Sequence, residues 1–470
     1  MSDDKKRSKY LLKNILIFTF GNVGTKLINF ILVPLYTYVL STEEYGIVNL
    51  IFVICAIVTP ILMGNVGESI KRFLLDKKYN EDSIVLNGLI WFCIGIFLTF
   101  ISTILFNLYE PVSNYIFLMG AYCFFYSSYT VFCEYLRGKE KNLSYTICNI
   151  ICTFSIGIFN VLFLLVFKLG ITGYLLSYVL GYFISAIIAF FIGKPLKKTI
   201  KKSAFDKKLF FEMSKYSLYL IPNSLLWWAI SSVDHIMVSN IVGDAENGLF
   251  AISYKLPSLM ITLSTIIMQA WEFSAIKESE SKDSEEYSNK MFNSYFLICS
   301  FLSAGLLLII KPFMHLYVSD AFFVSWKYCP FLILGFFFQT LAIFVGTTYY
   351  VKKDMRGNLI SSVICASSNI ILNYFLINYI GTLGATIASC ISYIILLIYR
   401  LIDTRKYLKL KIVSLKNILG IILLFCLTFC CYMDFFEHYF IMIGIIILMI
   451  IINYKSLYKM LCNFISIFKK

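Results

Sequence analysis

The chain has 470 residues, of which 59% are hydrophobic and only 14% charged. A soluble protein of this length would carry roughly 25% charged residues over about three domains, so that architecture is excluded and the chain is expected in a bilayer. The formal net charge of +14, from 41 Lys plus Arg against 27 Asp plus Glu, suits nucleic acid or an anionic membrane surface, and the placement of the charges decides between them.

A helix needs about 20 apolar residues to cross the hydrocarbon core. The sequence offers fourteen such stretches: 14–40, 45–70, 83–107, 113–136, 142–167, 171–192, 215–241, 247–271, 290–316, 328–351, 357–379, 382–400, 416–432 and 437–455. The basic start, Lys5, Lys6, Arg7, Lys9 and Lys13, belongs in the cytoplasm by the positive-inside rule, and every second break then falls inside. In chain order those breaks hold Lys71, Arg72, Lys77 and Lys78, then Arg137, Lys139 and Lys141, then the lysine-rich segment 193–214 together with Lys215. Lys277, Lys282 and Lys290 follow, then Lys352, Lys353 and Arg356, then the basic run from Arg400 to Lys416, and finally Lys455, Lys459, Lys469 and Lys470. In all, 36 of the 41 basic residues fall inside. Only Lys168 and Lys327 fall at outside breaks, where Glu43, Glu44, Glu110, Asp244, Glu246, Asp320, Asp434 and Glu437 gather. The bias implies an even number of spans with both termini cytoplasmic, and it makes the net charge an orientation signal rather than a nucleic-acid footprint.

The first apolar run follows basic residues as a secretory signal would, but it continues past the usual 7–15 residues and lacks a small-residue cleavage site, so it reads as a span. The fourteen cysteines are scattered through apolar segments without CxxC pairs and read as small buried hydrophobes. With three histidines in the chain, His235, His315 and His438, no metal site is expected.

The chain repeats itself. Val39-Leu-Ser-Thr-Glu-Glu-Tyr-Gly46-Ile47 after the first span matches Ile241-Val-Gly-Asp-Ala-Glu-Asn-Gly248-Leu249 after the seventh. Arg137-Gly-Lys-Glu-Lys-Asn142-Leu143 before the fifth span has its echo in Lys352-Lys-Asp-Met-Arg-Gly-Asn358-Leu359 before the eleventh, and Leu169-Gly170-Ile-Thr-Gly173 is echoed by Ile380-Gly381-Thr-Leu-Gly384. Six spans per repeat keep both halves in one orientation, which implies a parallel repeat with a cavity between lobes. The expected organisation is therefore an all-α polytopic membrane protein with an N-lobe at 1–192, a basic cytoplasmic linker at 193–214, a C-lobe at 215–400 and an appended helix pair with a basic tail at 401–470.

The Leu40-Ser-Thr-Glu-Glu-Tyr-Gly46 hairpin and the stretch from Asn369 through Asn373 and Gly381 to Gly384-Ala-Thr-Ile-Ala388 resemble hallmarks of the polysaccharide-repeat-unit flippases. These belong to the multidrug, oligosaccharidyl-lipid and polysaccharide exporter superfamily, which also holds the peptidoglycan-precursor flippases. The resemblance covers roughly 10–455. It implies translocation of an undecaprenyl-diphosphate-linked oligosaccharide between leaflets of a bacterial cytoplasmic membrane by alternating access, with a polymerase and glycosyltransferases as pathway partners. A cation-coupled drug exporter of the same superfamily is the rival within transport. A membrane polymerase or acyltransferase would need a large outside loop or a His, Asp and Arg cluster at one face, and the outside breaks are mostly short. No GxxxxGK[ST] loop occurs, so no cofactor is expected and the energy comes from an H+ or Na+ gradient, the membrane potential or removal of product.

Three basic residues fit no loop: Lys26, Lys255 and Lys311. A charge at helix centre costs about 2.5–3.5 kcal/mol on insertion scales, so each must face protein, water or a ligand. Lys26, roughly 21 Å from the outer turn, is either a contact for a lipid diphosphate or a structural partner of an acid or a carbonyl. Lys255 resembles in place a cationic residue of the peptidoglycan-precursor flippases. Asp234 lies at a similar expected depth, so an Asp234–Lys255 pair that opens to an anionic ligand is the candidate arrangement. Lys311 precedes Pro312 near the outer end of its span and either snorkels or lines the cavity. Glu68, Lys71 and Arg72 form a candidate cytoplasmic mouth, while Glu134 and Glu272 read as interfacial. Unlike the peptidoglycan-precursor flippases, the chain has no arginine within its first two spans, so a bidentate arginine grip on diphosphate is not expected there. Pro34, Pro222, Pro60 and Pro257 occupy repeat-equivalent spans as candidate hinges. Trp227 with Trp228, or Tyr122, Phe124, Phe125 and Tyr126, could stack on sugar rings.

Overall fold

The computed structural model describes residues 28–76, 78–106, 110–195, 205–277, 283–352, 354–408, 414–433 and 438–468, and the regular structure among them is helical. The chain divides into two compact units, Met1–Ile236 and Met237–Lys470. The first holds α1 (Ile28–Val39), α2 (Thr42–Met63), α3 (Val66–Asp76), α4 (Glu81–Phe106), α5 (Ile116–Gly138), α6 (Asn142–Val161, extended by a π turn at Leu162–Val166), α7 (Gly170–Gly193) and most of α8 (Lys207–Ile241). The second holds the end of α8, then α9 (Asp244–Ser253), α10 (Ser258–Lys277), α11 (Ser284–Tyr317), α12 (Cys329–Lys352), α13 (Met355–Ile380), α14 (Thr382–Asp403), α15 (Leu415–Cys430) and α16 (His438–Phe468).

The described part of each expected span contains helix, but length and apolarity qualify fewer than fourteen for crossing a membrane. Ten helical segments among the described residues qualify outright, and α9 with α10, bent by 41° at their junction, adds an eleventh if the pair is counted as one span. The described part of the first span (Ile28–Val39) and α15 are too short. Helix α8 is long enough but does not qualify, because polar residues from Lys207 to Lys215 and from Ser231 to His235 interrupt its apolar run. The expected linker 193–214 also changes character. From Lys207 onward it is helix, held by Asn87 Nδ2 donating to Asp206 O at 3.1 Å, Ser69 Oγ donating to Met213 O at 3.2 Å and Tyr79 donating to Glu212. The division between units consequently lies inside α8.

Local chemistry sets the helix ends. Ser41 and Glu44 form the capping box that starts α2: Ser41 Oγ accepts from Glu44 N–H at 3.1 Å and Glu44 Oε2 from Ser41 N–H at 2.8 Å. Its repeat counterpart α9 starts at Gly243 (φ +128°) without a side-chain cap, and its acid does other work. Glu246 Oε2 accepts from Tyr328 Oη at 2.6 Å and Thr382 Oγ1 at 2.9 Å, joining the α9 turn to the α13–α14 turn. In the first unit Glu44 likewise reaches the α6–α7 turn, where a Cβ on Gly170 would stand 3.5 Å from its Oε1.

Because lipid tails are as apolar as leucine, close packing and internal hydrogen bonds hold spans together. In the second unit Gly384 lets α14 meet the end of α13, since a Cβ there would stand 2.2 Å from Leu376 O. The α12 span, Asp320–Lys352, is the centre of that unit, with 83% of its window buried against 17% for α16. Among the described residues no qualifying span of the first unit exceeds the 44% of α2.

Candidate functional site

The first unit contains a half-open cavity of about 420 Å³ between α2, α3, α5 and α8. Its formation begins at the end of α2, where Pro60 precedes a break at Gly64 (φ +58°) and Asn65 (φ +52°). The break stops the helical ladder, and Trp91 Nε1 satisfies the released Met63 carbonyl at 3.0 Å. Gly64 is required twice over, by its left-handed φ and because a Cβ would stand 2.7 Å from Trp91 Nε1. Asn65 Nδ2 then donates to Ser224 Oγ at 3.1 Å, fixing the cavity wall to α8.

Two i,i+3 pairs meet at one rim. Lys71 Nζ lies 2.5 Å from Glu68 Oε2 on its own helix and 3.0 Å from Glu134 Oε2 on α5. Arg137 Nη1 holds Glu134 Oε1 at 2.8 Å, and its guanidinium lies over the Tyr145 ring at 5.1 Å. Gly67 permits this approach, since a Cβ there would already stand 3.4 Å from the Glu134 side chain. The quartet balances two acids with two bases. Glu68 is its most accessible member, with a side chain 45% exposed against 14% for Glu134.

Behind the rim the wall is tyrosine and small hydroxyl side chains. Tyr122 and Tyr126, one turn apart on α5, stack at 5.8 Å with planes 9° apart, and Tyr182 of α7 sets its ring edge against both, at 5.5 and 5.1 Å. Tyr174, Tyr178 and Tyr182, spaced by four, fall on one face of α7 and continue the series to Tyr36 of α1, 4.6 Å from Tyr174. Ser127 Oγ, on a residue 1% exposed that lines the cavity, has no hydrogen-bond partner among the described residues.

The second unit is filled where the first is open. Phe292, Phe296, Phe337 and Phe344 are fully buried, and Trp271 stacks on Phe344 at 4.8 Å. A smaller cavity of about 230 Å³ lies between α10, α11 and α12, beside Trp271, Ser288, Thr347 and Lys352. Nearby, Arg400 is 4% exposed and among the described residues bonds neutral acceptors: Ala342 O at 2.9 Å, Asn358 Oδ1 at 3.0 Å and Ser361 Oγ at 3.1 Å. The sequence reading counted Arg400 as a loop cation. Beyond the α14 end, Asp354 accepts from Gly357 N–H at 3.0 Å and Tyr407 Oη at 3.0 Å, and pairs with Lys406 at 3.2 Å. These contacts hold its carboxyl below the ordinary aspartate range.

Lys26 lies outside the described residues. Glu68 and Lys71 come together at the cavity rim, whereas Arg72 is exposed beside them. Glu134, read as interfacial, is a central member of the quartet. Asp234 is 1% exposed on the first-unit part of α8, and neighbouring His235 is also buried. Lys255 is half-buried at the α9–α10 bend in the second unit, where Ser258 Oγ donates to its carbonyl at 2.8 Å. Lys311 sits 4.3 Å over the Trp326 ring and donates to Met433 O at 3.3 Å, which accounts for its charge at the end of α11. Pro257 lies at the 41° bend and Pro60 one turn before the α2 break, while Pro34 occupies a first turn and Pro222 the interior of α8. Phe124 and Phe125 pack against Phe92 and Phe183, Trp228 donates to Val53 O at 2.8 Å, and the Trp227 side chain lies outside the described set.

The fold is similar to that of the lipid II flippase MurJ in an inward closed conformation, at 18% identity over 95% of this chain and 100% of that one, with a TM-score of 0.72. It is also similar to an inward-facing MATE multidrug transporter of the MOP superfamily, at 13% identity, 86% and 95% coverage and a TM-score of 0.63. A MOP-superfamily transporter from Pyrococcus furiosus matches at 15% identity, 84% and 95% coverage and a TM-score of 0.56. No curated protein matches significantly by sequence. The model of the polysaccharide biosynthesis protein family matches residues 11–272, more than half of the sequence. The chain is a multi-pass membrane protein with the fold of the MOP transporters, and it belongs to the polysaccharide biosynthesis protein family.

Proposed function

We propose that the protein is a flippase that carries an undecaprenyl-diphosphate-linked oligosaccharide from the inner to the outer leaflet of a bacterial cytoplasmic membrane, for assembly of a surface polysaccharide. The single observation that carries this reading is the polysaccharide-family match over residues 11–272, which includes every residue lining the first-unit cavity. The fold, shared with a protein named for flipping a lipid-linked precursor, supports it. In this reading the termini face the cytoplasm and the lobes expected at 1–192 and 215–400 alternate access. Lys26 and Lys255 are the cationic contacts for the diphosphate, Asp234 is the resting partner that Lys255 leaves when the anion arrives, Glu68, Lys71 and Arg72 line the entrance, and Pro34, Pro60, Pro222 and Pro257 supply bending points. Membrane lipids surround the protein, and a polymerase and glycosyltransferases act before and after it.

The test is leaflet exchange of the lipid-linked oligosaccharide in proteoliposomes holding the purified chain, with Lys26→Ala and Lys255→Ala alongside. Exchange by the wild type that falls in both variants supports the reading and its diphosphate contacts. Wild-type exchange in both removes those contacts. The fold is equally that of drug exporters, so the competing outcome is cation-dependent efflux of a multidrug dye with no exchange of the lipid-linked sugar.

A further inference from the structure

We propose that the first-unit cavity is a saccharide subsite that holds an uncharged pyranose of the transported molecule and disfavours acidic sugars. The inference rests on the flippase reading and adds which part of the substrate this cavity takes. Its volume of about 420 Å³ falls in the range of small-molecule sites, roughly 300–1,000 Å³.

Three features of the wall select the chemistry. Tyr122 and Tyr126 present aromatic surface with hydroxyl groups at the edge, which suits the apolar face and polar rim of a pyranose. Ser127 Oγ is buried at the wall without a partner among the described residues, a condition a ligand hydroxyl would relieve. The cavity also carries two carboxylates, Glu68 and Glu134. Lys71 occupies Glu68 Oε2 and leaves Oε1 without a donor among the described residues, so that oxygen can accept a sugar hydroxyl.

A phosphate entering here would meet both carboxylates, while Lys71 and Arg137 are already paired to them. A hexuronic acid meets the same opposition. A neutral sugar meets none, because hydroxyls donate to carboxylates and stack on tyrosine without displacing the ion pairs. The smaller second-unit cavity, beside Trp271, Ser288, Thr347 and Lys352, has no stacked tyrosine pair on its wall.

The experiment uses the full-length protein in detergent micelles and in proteoliposomes. Saturation-transfer NMR reads binding of two free probes, a neutral trisaccharide and the same trisaccharide ending in glucuronic acid, while leaflet exchange reads transport of the corresponding undecaprenyl diphosphates. The variants are Glu68→Gln, Tyr126→Phe and Ser127→Ala, each close to its parent in size so that folding is retained, with Tyr122→Ala as the severe case. Wild-type preference for the neutral probe, reduced about tenfold by Tyr122→Ala and about threefold by each mild variant, is expected. Glu68→Gln should also narrow the gap between neutral and acidic probes. Equal binding of both probes, or neutral binding unchanged in all four variants, overturns the subsite even if the wild type flips its lipid. Absence of any lipid exchange by the wild type overturns the flippase reading, and the free-probe binding still decides the subsite.

Discussion

The two units begin from one repeated sequence plan and arrive at opposite interiors. In the first, α5 and α7 face each other through tyrosines, a broken α2 leaves a cavity, and two acid–base pairs guard its rim. In the second, α12 is buried along 83% of its span, phenylalanines fill the middle, and Arg400 fastens α12 and α13 from within. Even the breaks in the repeat-equivalent spans fall at different depths: after residue 63 in α2, near the end of its run, and at 254–257, soon after the start of the other. The aromatic side chains make the difference: Tyr122 and Tyr126 line open space in the first unit, whereas in the second Tyr295, Trp271 and the phenylalanines pack on one another. A phenol ring left next to space can be satisfied by a ligand hydroxyl, whereas a phenylalanine ring is satisfied only by contact.

The contrast breaks most easily at Arg400. Arg400→Leu should destabilise the protein by about 3 kcal/mol, since it removes three charge-assisted hydrogen bonds and leaves buried acceptors unpaired. Denaturant unfolding in detergent measures it. Gly346→Ala should reproduce part of the loss by displacing the guanidinium, because the new Cβ would stand 2.4 Å from Nη1. A stable Arg400→Leu protein that no longer transports would instead make the second unit a ligand-binding half.

Next in size is Glu134→Gln, which leaves Lys71 and Arg137 facing a neutral amide. Lipid exchange should fall about tenfold with a stability loss of only about 1 kcal/mol, as expected of partly exposed pairs. Loss of stability without loss of exchange would reduce the quartet to a clasp between α3 and α5. Trp91→Phe tests the α2 break more gently. It should cost about 1 kcal/mol by freeing the Met63 carbonyl, read as a lower melting temperature.

The smallest effect is electrostatic and belongs to the second unit. Asp354 has its carboxyl lowered by Gly357 N–H, by Tyr407 and by Lys406, so its contribution is present above the ordinary aspartate value near 3.9. It disappears as pH falls through the lower folded value. Asp354→Asn should therefore flatten the acid limb of a stability–pH curve and leave the neutral plateau nearly as flat as before. An unchanged acid limb would show that the cap carries no linked proton.

Much of the site was legible, and the misses have physical causes. Glu68 and Lys71 stand out in the sequence as a candidate mouth at the inner end of the second span, and the structure pairs them beside the cavity. Glu134 was passed over because a carboxylate at an inner helix end is ordinarily solvated, and only the approach of α3 at Gly67 converts it into a bridge between two cations. Arg400 escaped notice because it heads a basic run, and sequence cannot distinguish a loop cation from one turned inward. Tyr122 and Tyr126 were grouped with Phe124 and Phe125, and helix rotation then separated the pairs, one to the cavity and one to packing.

By itself the sequence determined the membrane class, the helical character and the short repeated turn motifs, because hydropathy and turn chemistry act over short stretches of chain. The family resemblance was legible in the same short motifs. The cavity, the ionic quartet and the inward turn of Arg400 were decided by tertiary structure alone, because each depends on how closely helices distant in sequence approach and on which face each turns to its neighbour.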